Sequence, residues 1–386
     1  MNQCFDGSNL RLVRSAHNMS LADVGEAVGK SKQFIQRLEA DRDAPTDELV
    51  GKLADLLKVE VSFFFSSPGH ILAEEAYHFR KLIGTKTADK QSAIANGELL
   101  HRVVSFIDSK LKLPKYDFPI YDISTPEKAE RAAERCRFHW ELGVGPIGSM
   151  VRVVENAGAV VTTFETSTKE IDALSIASPR PIVIMKSDEV SACRARFGHA
   201  HEIAHFVGHD GRLTGDKGSE AEANRFAGAF LMPRSSFVKE FPQLRGGTQI
   251  NWKALSELKL RWRVSKAGML YRARQLGLLS EEQYRRAIVG HLYSKSERYV
   301  EREDSLIPHE KPELLLNALR VMKDQLAISV DDIARAVHLK KEMLARIAPQ
   351  ILELEPQPAS LTSGLHSGVI SLSEYRSRSS TRCEQS

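Results

Sequence analysis

Apolar and polar residues recur with two different periods along this chain, and helical spacing dominates. Between residues 10 and 65 the apolar positions lie three and four apart, which predicts short amphipathic helices. A longer stretch of the same kind runs from about Lys86 to Leu113, and Pro114 ends it. Thr125-Pro126 opens another helix by capping rules, and beyond about residue 240 the pattern is helical again.

Two short segments interrupt the helical pattern. Residues 159–164 and 181–186 are rich in β-branched side chains and are bounded by glycine or proline, as strands are. Residues 151–158, before the first of them, are predicted to form a helix that closes at Gly158. The sequence therefore predicts an α+β fold that is mostly helical.

Breaks in the pattern divide the chain into four segments. The cluster Ser66-Ser67-Pro68-Gly69 marks the end of the first. The last segment is rich in serine and short of large apolar residues, so we expect it to be disordered. The predicted segments are residues 1–67, 75–290, 300–352 and 355–386.

Composition excludes some classes of protein. No apolar run approaches the roughly 18 residues that a membrane span needs, so no membrane partner is expected. The first residues, MNQCFDGSNL, lack the regions of a signal peptide. The four cysteines lie far apart and form no CxxC, which indicates reduced thiols and a cytoplasmic protein. A net charge of +4 is too small to indicate nucleic-acid binding by itself.

Residues 20–38, SLADVGEAVGKSKQFIQRL, predict two short helices joined by a sharp turn. Ser20 caps the first helix, Gly29 lies at the turn and Ser31 caps the second. If the apolar side chains of the second helix pack inward, its polar ones point outward, where such side chains contact base edges and phosphates. The candidate DNA-binding residues are Ser31, Lys32, Gln33, Gln36 and Arg37. An ordinary helical bundle with a solvated face is the alternative.

Residues 9–65 resemble the Cro/repressor-type (XRE) helix-turn-helix family. The resemblance rests on Ser31-Lys32-Gln33-x-Ile35, on Leu38-Glu39 and on Ala54-x-x-Leu57. It implies that double-stranded operator or promoter DNA is a partner, and it leaves a homodimer open. Residues 1–62 nevertheless hold 8 Lys/Arg and 10 Asp/Glu, so the charge of this segment does not favour tight DNA binding.

Residues 199–210, HAHEIAHFVGHD, contain an HExxH motif. Residues four apart share one helix face, so His201 and His205 can reach the same ion. Glu202 would then lie beside the open position of that ion. A histidine-rich stretch of ordinary helix is the alternative, and we expect the two flanking histidines, His199 and His209, at the surface.

A third ligand would complete a catalytic metal site, and SEAEANRFAGAFLMP (219–233) offers Glu220 and Glu222. At 100° per residue, Glu220 lies about 50° from the centre of the apolar face and Glu222 about 110° away. Ser219 and Glu222 also fit a capping box, which gives Glu222 a structural role. We therefore assign Glu220 as the ligand, with Glu222 as the alternative. Asn224 can hydrogen-bond a metal-bound histidine.

The segment RFGHAHEIAHFVGH followed by EAEANRFAGAFLMP is similar to the ImmA/IrrE family of zinc metallopeptidases, over about residues 75–290. The resemblance implies a zincin-like domain with a small sheet and an HExxH helix, placed between an all-α helix-turn-helix bundle and a helical C-terminal region. It also implies Zn²⁺ as cofactor, Glu202 as general base and a repressor or antitoxin-like protein as substrate. Three positions depart from the family pattern: His199, Ala204 and Gly208.

Two further hypotheses remain open at this point. The peptidase-like domain could be a metal or ligand sensor in a transcription factor that is not an enzyme, and the repressor-type module could recognise protein instead of DNA. Residues 329–347, SVDDIARAVHLKKEMLARI, can also be laid on residues 20–38 without a gap. They are either a degenerate second helix-turn-helix or a helical hairpin that has converged on the same pattern.

Overall fold

The computed structural model describes residues 4–66, 76–81, 87–164, 171–186, 191–212, 214–293 and 300–354. The fold is α+β and mostly helical, as predicted. None of the helices in these ranges is long and apolar enough to cross a membrane. The tail that was predicted to be disordered, 355–386, lies outside the described residues.

The N-terminal module consists of four helices, α1 to α4, and a short 3₁₀ helix, with the bounds Gly7–Ala16, Leu21–Val28, Lys32–Glu39, Asp47–Leu57 and Val61–Phe65. Ser20 accepts the N–H of Asp23 and so caps α2, and Ser31 caps α3 in the same way. Gly29 has φ 68°, a left-handed conformation that glycine adopts without strain. The predicted pair of helices with its sharp turn is therefore present.

The centre of the chain forms the helices α5 to α9 and a sheet. The helices are Thr87–Lys110, Pro126–His139, Met150–Asn156, Ala192–Gly208 and Lys217–Leu231. The strands β1 to β4 are Tyr77–Lys81, Val160–Phe164, Ile171–Ile176 and Ile182–Lys186. The order in the sheet is β1-β3-β4-β2, with β2 and β4 parallel and the other pairs antiparallel. The two predicted strands are β2 and β4, whereas β1 and β3 were not predicted.

The rest of the described chain is helical. Helices α10 to α16 are Arg234–Glu240, Trp252–Trp262, Lys266–Gln275, Glu281–Ala287, Leu314–Leu326, Val330–Ala336 and Lys341–Ile347. Three short helical segments complete it: a π-helix at Ile288–Tyr293 and 3₁₀ helices at Arg302–Leu306 and Pro349–Leu354.

The sheet separates two apolar cores. One face, with Leu174 and Ile184, packs against the N-terminal module, α5 and the C-terminal helices α14 to α16. The other face, with Val183 and Met185, packs against α6 to α13. The first core thus joins residues from the first, second and third predicted segments, whose boundaries as domains stay a prediction.

Helices α14 to α16 repeat the backbone of α1 to α3. Two residues with positive φ lie eleven positions apart in each segment: Asn18 and Gly29 in the first, Ala327 and His338 in the second. A capping box opens α15 as it opens α2. The two copies also touch, since Arg346 on α16 donates to the carbonyl of Ala16, at the end of α1, at 2.5 Å. Whether the second copy reads DNA stays a prediction.

One buried ion pair ties the start of α8 to the C-terminal part of the chain. Arg196 is 2 % exposed and pairs with Glu310. The same carboxylate accepts the N–H groups of Met150 and Val151, at 2.7 and 2.9 Å, at the beginning of α7. Glu310 therefore neutralises a buried cation and caps a helix at once.

We expect Glu310→Gln to lower the free energy of unfolding by about 3 kcal/mol, because it leaves the buried Arg196 without a counter-charge. The matched control is Glu313→Gln, which removes the carboxylate of an exposed pair with Arg152. That change should cost less than about 1 kcal/mol. Urea unfolding followed by circular dichroism measures both losses, and equal losses would contradict this role of Glu310.

Candidate functional site

Helices α8 and α9 pack along each other and carry the candidate metal site. The predicted apolar stripe of α8 is buried, with Ala200, Ile203, Ala204 and Val207 at 0 % exposure. A side chain at Gly208 would collide with Ile123, which accounts for glycine at this position. With its apolar face fixed in the second core, α8 presents its histidines to α9.

Three predicted ligands come together. The Nε2 atoms of His201 and His205 lie 3.1 Å apart. The carboxylate of Glu220 lies 3.4 Å from Nε2 of His201 and 3.6 Å from Nε2 of His205. One donor atom from each of the three residues lies within 4.8 Å of the others. Oε1 of Glu220 is buried and accepts no hydrogen bond from a described residue, as expected for an atom that binds a cation.

The rings of His201 and His205 are both oriented so that Nε2 faces the space between the three candidate ligands. Nδ1 of His201 is 3.1 Å from Oδ1 of Asn224, the predicted partner, and a neutral ring donates there through Nδ1–H. Nδ1 of His205 is 2.9 Å from Nδ1 of His209, whose Nε2 is 2.9 Å from Glu222. If His209 donates to Glu222 it accepts from His205, and the lone pair of His205 is then on Nε2.

This arrangement corrects two expectations. His199 and His209 were expected at the surface, but they are 4 % and 2 % exposed. The predicted capping box of Ser219 and Glu222 is wrong as well. The N-cap of α9 is Asp216, which accepts the N–H groups of residues 218 and 219 because the helix begins at residue 217. The structural role of Glu222 is its bond to His209.

Glu202 lies outside the ligand group and is fixed from the sheet. Its Oε2 accepts a hydrogen bond of 2.5 Å from Oγ of Ser175 on β3. Both residues are buried at 0 % exposure. A carboxylate next to a candidate metal site and oriented by a hydroxyl group is suited to take a proton.

Strand β1 adds a further histidine to the site. The ring of His78 stacks on that of His205, with centroids 5.1 Å apart and an interplanar angle of 6°. Its Nδ1 lies 2.7 Å from Oγ1 of Thr214, in the loop between α8 and α9. Burial, together with the nearby His209, lowers the pKa of His78 to about 4, so the ring is neutral at neutral pH.

Three residues of the site were not found from the sequence: His78, Ser175 and Thr214. They lie on strands or in a loop that the sequence did not connect with α8. The role of His209 could have been found, because it follows His205 by four residues on the same helix. For Ser175 and His78 the sequence contains no local signal.

The donor set fits zinc. Two imidazole nitrogens and one carboxylate are an established ligand set for a catalytic zinc site, which keeps its fourth position for water. The hydrogen bonds of the two rings to Asn224 and His209 supply the orienting partners that such histidines have.

The N-terminal module presents a second candidate site along α3. All five predicted DNA-binding residues, Ser31, Lys32, Gln33, Gln36 and Arg37, are exposed. Arg37 donates to Asp43 at 3.1 Å and lies over the ring of Phe34, so part of its hydrogen-bonding capacity is used within the module. Ser31 is the N-cap of α3.

The acidic side chains of this module do not all lie on the exposed face of α3. Glu39, at the end of α3, is 6 % exposed and accepts two hydrogen bonds from Arg14, at 2.5 and 3.0 Å. Since this charge is buried and neutralised, it does not oppose a phosphate backbone at the exposed face of α3.

Two family models match the segments of the chain that carry the two candidate sites. The Peptidase_M78 model, described as an IrrE N-terminal-like domain, matches residues 154–274. A model described as helix-turn-helix matches residues 10–64. The chain is a fusion of these two domains. It therefore carries a DNA-binding type of module and a metallopeptidase-like domain. No curated protein matched the chain.

For the IrrE-like domain we expect one zinc-class ion per chain, measured by elemental analysis of the purified protein. His201→Ala and Glu220→Ala should lose the metal because each removes a ligand, whereas Glu202→Gln should retain it. Glu222→Ala should weaken binding only about 10- to 100-fold, as loss of an orienting partner does.

The two glutamate variants serve as controls for each other. Metal lost from Glu222→Ala but kept by Glu220→Ala would reverse our assignment of the third ligand. Full retention of the metal by His201→Ala would reject the site.

Proposed function

We propose that this protein is a DNA-binding regulator whose IrrE-like domain is a zinc-dependent endopeptidase. Its substrate is a repressor or antitoxin-like protein, and cleavage of that protein changes transcription. The observation that carries the proposal is the convergence of His201, His205 and Glu220 beside the fixed carboxylate of Glu202. The class of substrate comes from the resemblance to the ImmA/IrrE family.

The roles of the residues follow from their positions. His201, His205 and Glu220 would hold the ion, with Asn224 and His209 fixing the two rings. Zinc, when bound, would lower the pKa of a coordinated water and polarise the peptide carbonyl. Glu202 would act as general base and then pass the proton to the leaving amine. Ser175 would keep the carboxylate of Glu202 in place through Oε2.

The helix-turn-helix domain would direct this activity to a promoter. Side chains at the start of α3 would contact base edges and phosphates. The protein would then act in the cytoplasm, with the DNA. A homodimer would let two copies of α3 read two half-sites.

A metal or ligand sensor is the second candidate function, and one observation favours it. Glu202 and His201 are fully buried, so a protein substrate does not reach the base in this conformation. A sensor needs only an ion or a small ligand to enter. In either case the module could also recruit a protein instead of DNA.

The DNA-binding proposal predicts that the full-length protein binds its own promoter region. Binding should weaken as salt increases, because phosphate contacts release counterions. Changing Gln33 and Gln36 to alanine should reduce sequence preference more than overall affinity, since these side chains would read base edges. The control is Gln243→Ala, at an exposed position far along the chain. Gel-shift titrations with promoter and random duplexes measure the difference, and absence of any preference would support protein recruitment.

The peptidase proposal predicts that cells with Glu202→Gln accumulate an uncut repressor. The amide retains the size of the side chain but cannot take a proton, a step typically worth about 10²–10⁴-fold in rate. The variant should still fold, bind zinc and bind DNA. Quantitative proteomics of cells with the variant, compared with the exposed-surface control Glu134→Gln, measures the effect. If His201→Ala abolishes regulation but Glu202→Gln does not, the metal is sensory and the enzyme is rejected.

A further inference from the structure

The catalytic end of the metal site is closed in this structure. Glu202 and His201 are 0 % exposed and His205 is 1 % exposed. A scissile peptide has to come within about 3 Å of the groups that act on it. Part of the protein must therefore move before a protein substrate can reach these side chains.

Strand β1 covers the site. His78 lies on the face of the sheet that is turned towards α8, where its ring stacks on His205. In the register of the sheet His78 is directly opposite Ser175, the residue that holds Glu202. The centre of β1 thus lies beside the proposed base and over one of the proposed metal ligands.

The contacts of β1 are those of a strand that can detach from the sheet. It is at the edge of the sheet and pairs with β3 only, among the described strands. Its register with β3 becomes irregular between Arg80 and Lys81. Towards α8, the hydrogen bond of 2.7 Å between His78 and Thr214 connects it to the loop before α9.

We name residues 77–81 the β1 strap. We propose that the strap occupies the position beside β3 that an extended segment of the protein substrate takes when the site is open. An extended peptide can add to a sheet edge through backbone hydrogen bonds, so the edge of β3 would receive the substrate once the strap has left. The substrate class is then an unfolded or extended segment of a protein. This inference rests on the proposed peptidase function.

The strap also links the two domains. Along the chain it lies between the helix-turn-helix domain and α5, and α5 packs on that domain, where Asn96 donates to the carbonyl of Ala16 at 3.0 Å. The residue before His78, Tyr77, is buried in the first core. Departure of the strap would therefore disturb the first core as well as the site, which would couple opening of the site to the state of the helix-turn-helix domain.

The first test locks the strap in the full-length protein. Arg80 and Ala173 are opposite in the register of β1 and β3, and opposite residues in an antiparallel pair lie close enough for a disulfide. The variant Arg80→Cys with Ala173→Cys is made with Cys4→Ser and Cys383→Ser, which remove an exposed native thiol and a terminal one. The measurement is the rate at which diethylpyrocarbonate modifies His78 and His205 in metal-free protein, followed by peptide mass spectrometry.

The locked, oxidised protein should be modified at least about tenfold more slowly than the same protein after reduction. The reduced protein should react at the wild-type rate. Equal rates in the oxidised and reduced forms would overturn the proposal, because the site would then open without movement of the strap. The two single-cysteine variants, treated with the same oxidant, control for effects of oxidation.

The second test loosens the strap. Thr214→Val removes the hydrogen bond to His78 but keeps the size of the side chain, so modification should be about fivefold faster, as loss of one ordinary hydrogen bond predicts. The control is Thr248→Val, at an exposed position in another loop. An unchanged rate in Thr214→Val would count against the strap.

Failure of the proposed function would look different. A protein that binds no zinc would contradict the peptidase, yet the modification rates, measured without metal, would still decide whether the strap shields the site. In zinc-loaded protein, transfer of zinc to 4-(2-pyridylazo)resorcinol should follow the same order: locked slowest, wild type next, Thr214→Val fastest. Equal transfer rates would contradict the strap without affecting the assignment of the metal ligands.

Discussion

Burial of the four-stranded sheet on both faces is the constraint on which the rest of this structure depends. Successive side chains of a strand point to opposite faces, so each strand has to supply two different cores. In β4, Ile182 and Ile184 belong to the core of the helix-turn-helix domain, and Val183 and Met185 to that of the IrrE-like domain. The sheet is therefore a common boundary of the two domains. A change in strand pairing would alter the packing of both cores.

The same constraint explains how a polar helix can be buried. Helix α8 places Arg196, His201, Glu202 and His205 at 2 % exposure or less, and a buried polar group without a partner is costly. The partners of Arg196, His201 and Glu202 come from other elements: a carboxylate near α14, an asparagine on α9 and a hydroxyl on β3. The proposed active site is thus assembled only when helix and sheet have both folded, because neither contains a complete set of partners.

How much of this could be predicted from the sequence depends on the range of each interaction. The choice of His201, His205 and Glu220 as candidate ligands follows from helical periodicity within each of the two helices that carry them. The start of α9 was misjudged because Ser219 and Glu222 have the spacing of a capping box, whereas the helix begins directly after Asp216. Ser175 and His78 were missed because strand pairing brings together residues nearly one hundred positions apart, for which the sequence has no periodic signal.

The repeated helices show that the same backbone can serve two purposes. In the second copy, Lys340 corresponds to Ser31 and binds Asp55. Arg346 corresponds to Arg37 and donates to the carbonyl of Ala16 at 2.5 Å. Both side chains are therefore used to hold the N-terminal module.

Two further reading positions of the second copy have changed, whereas Lys32 corresponds to an identical residue, Lys341. Gln33 and Gln36 correspond to Glu342 and Ala345, which lack the amide group that reads adenine. A glutamate at such a position would also face the negative charge of the phosphate backbone. These changes favour a supporting role for the second copy, although whether it reads DNA stays a prediction.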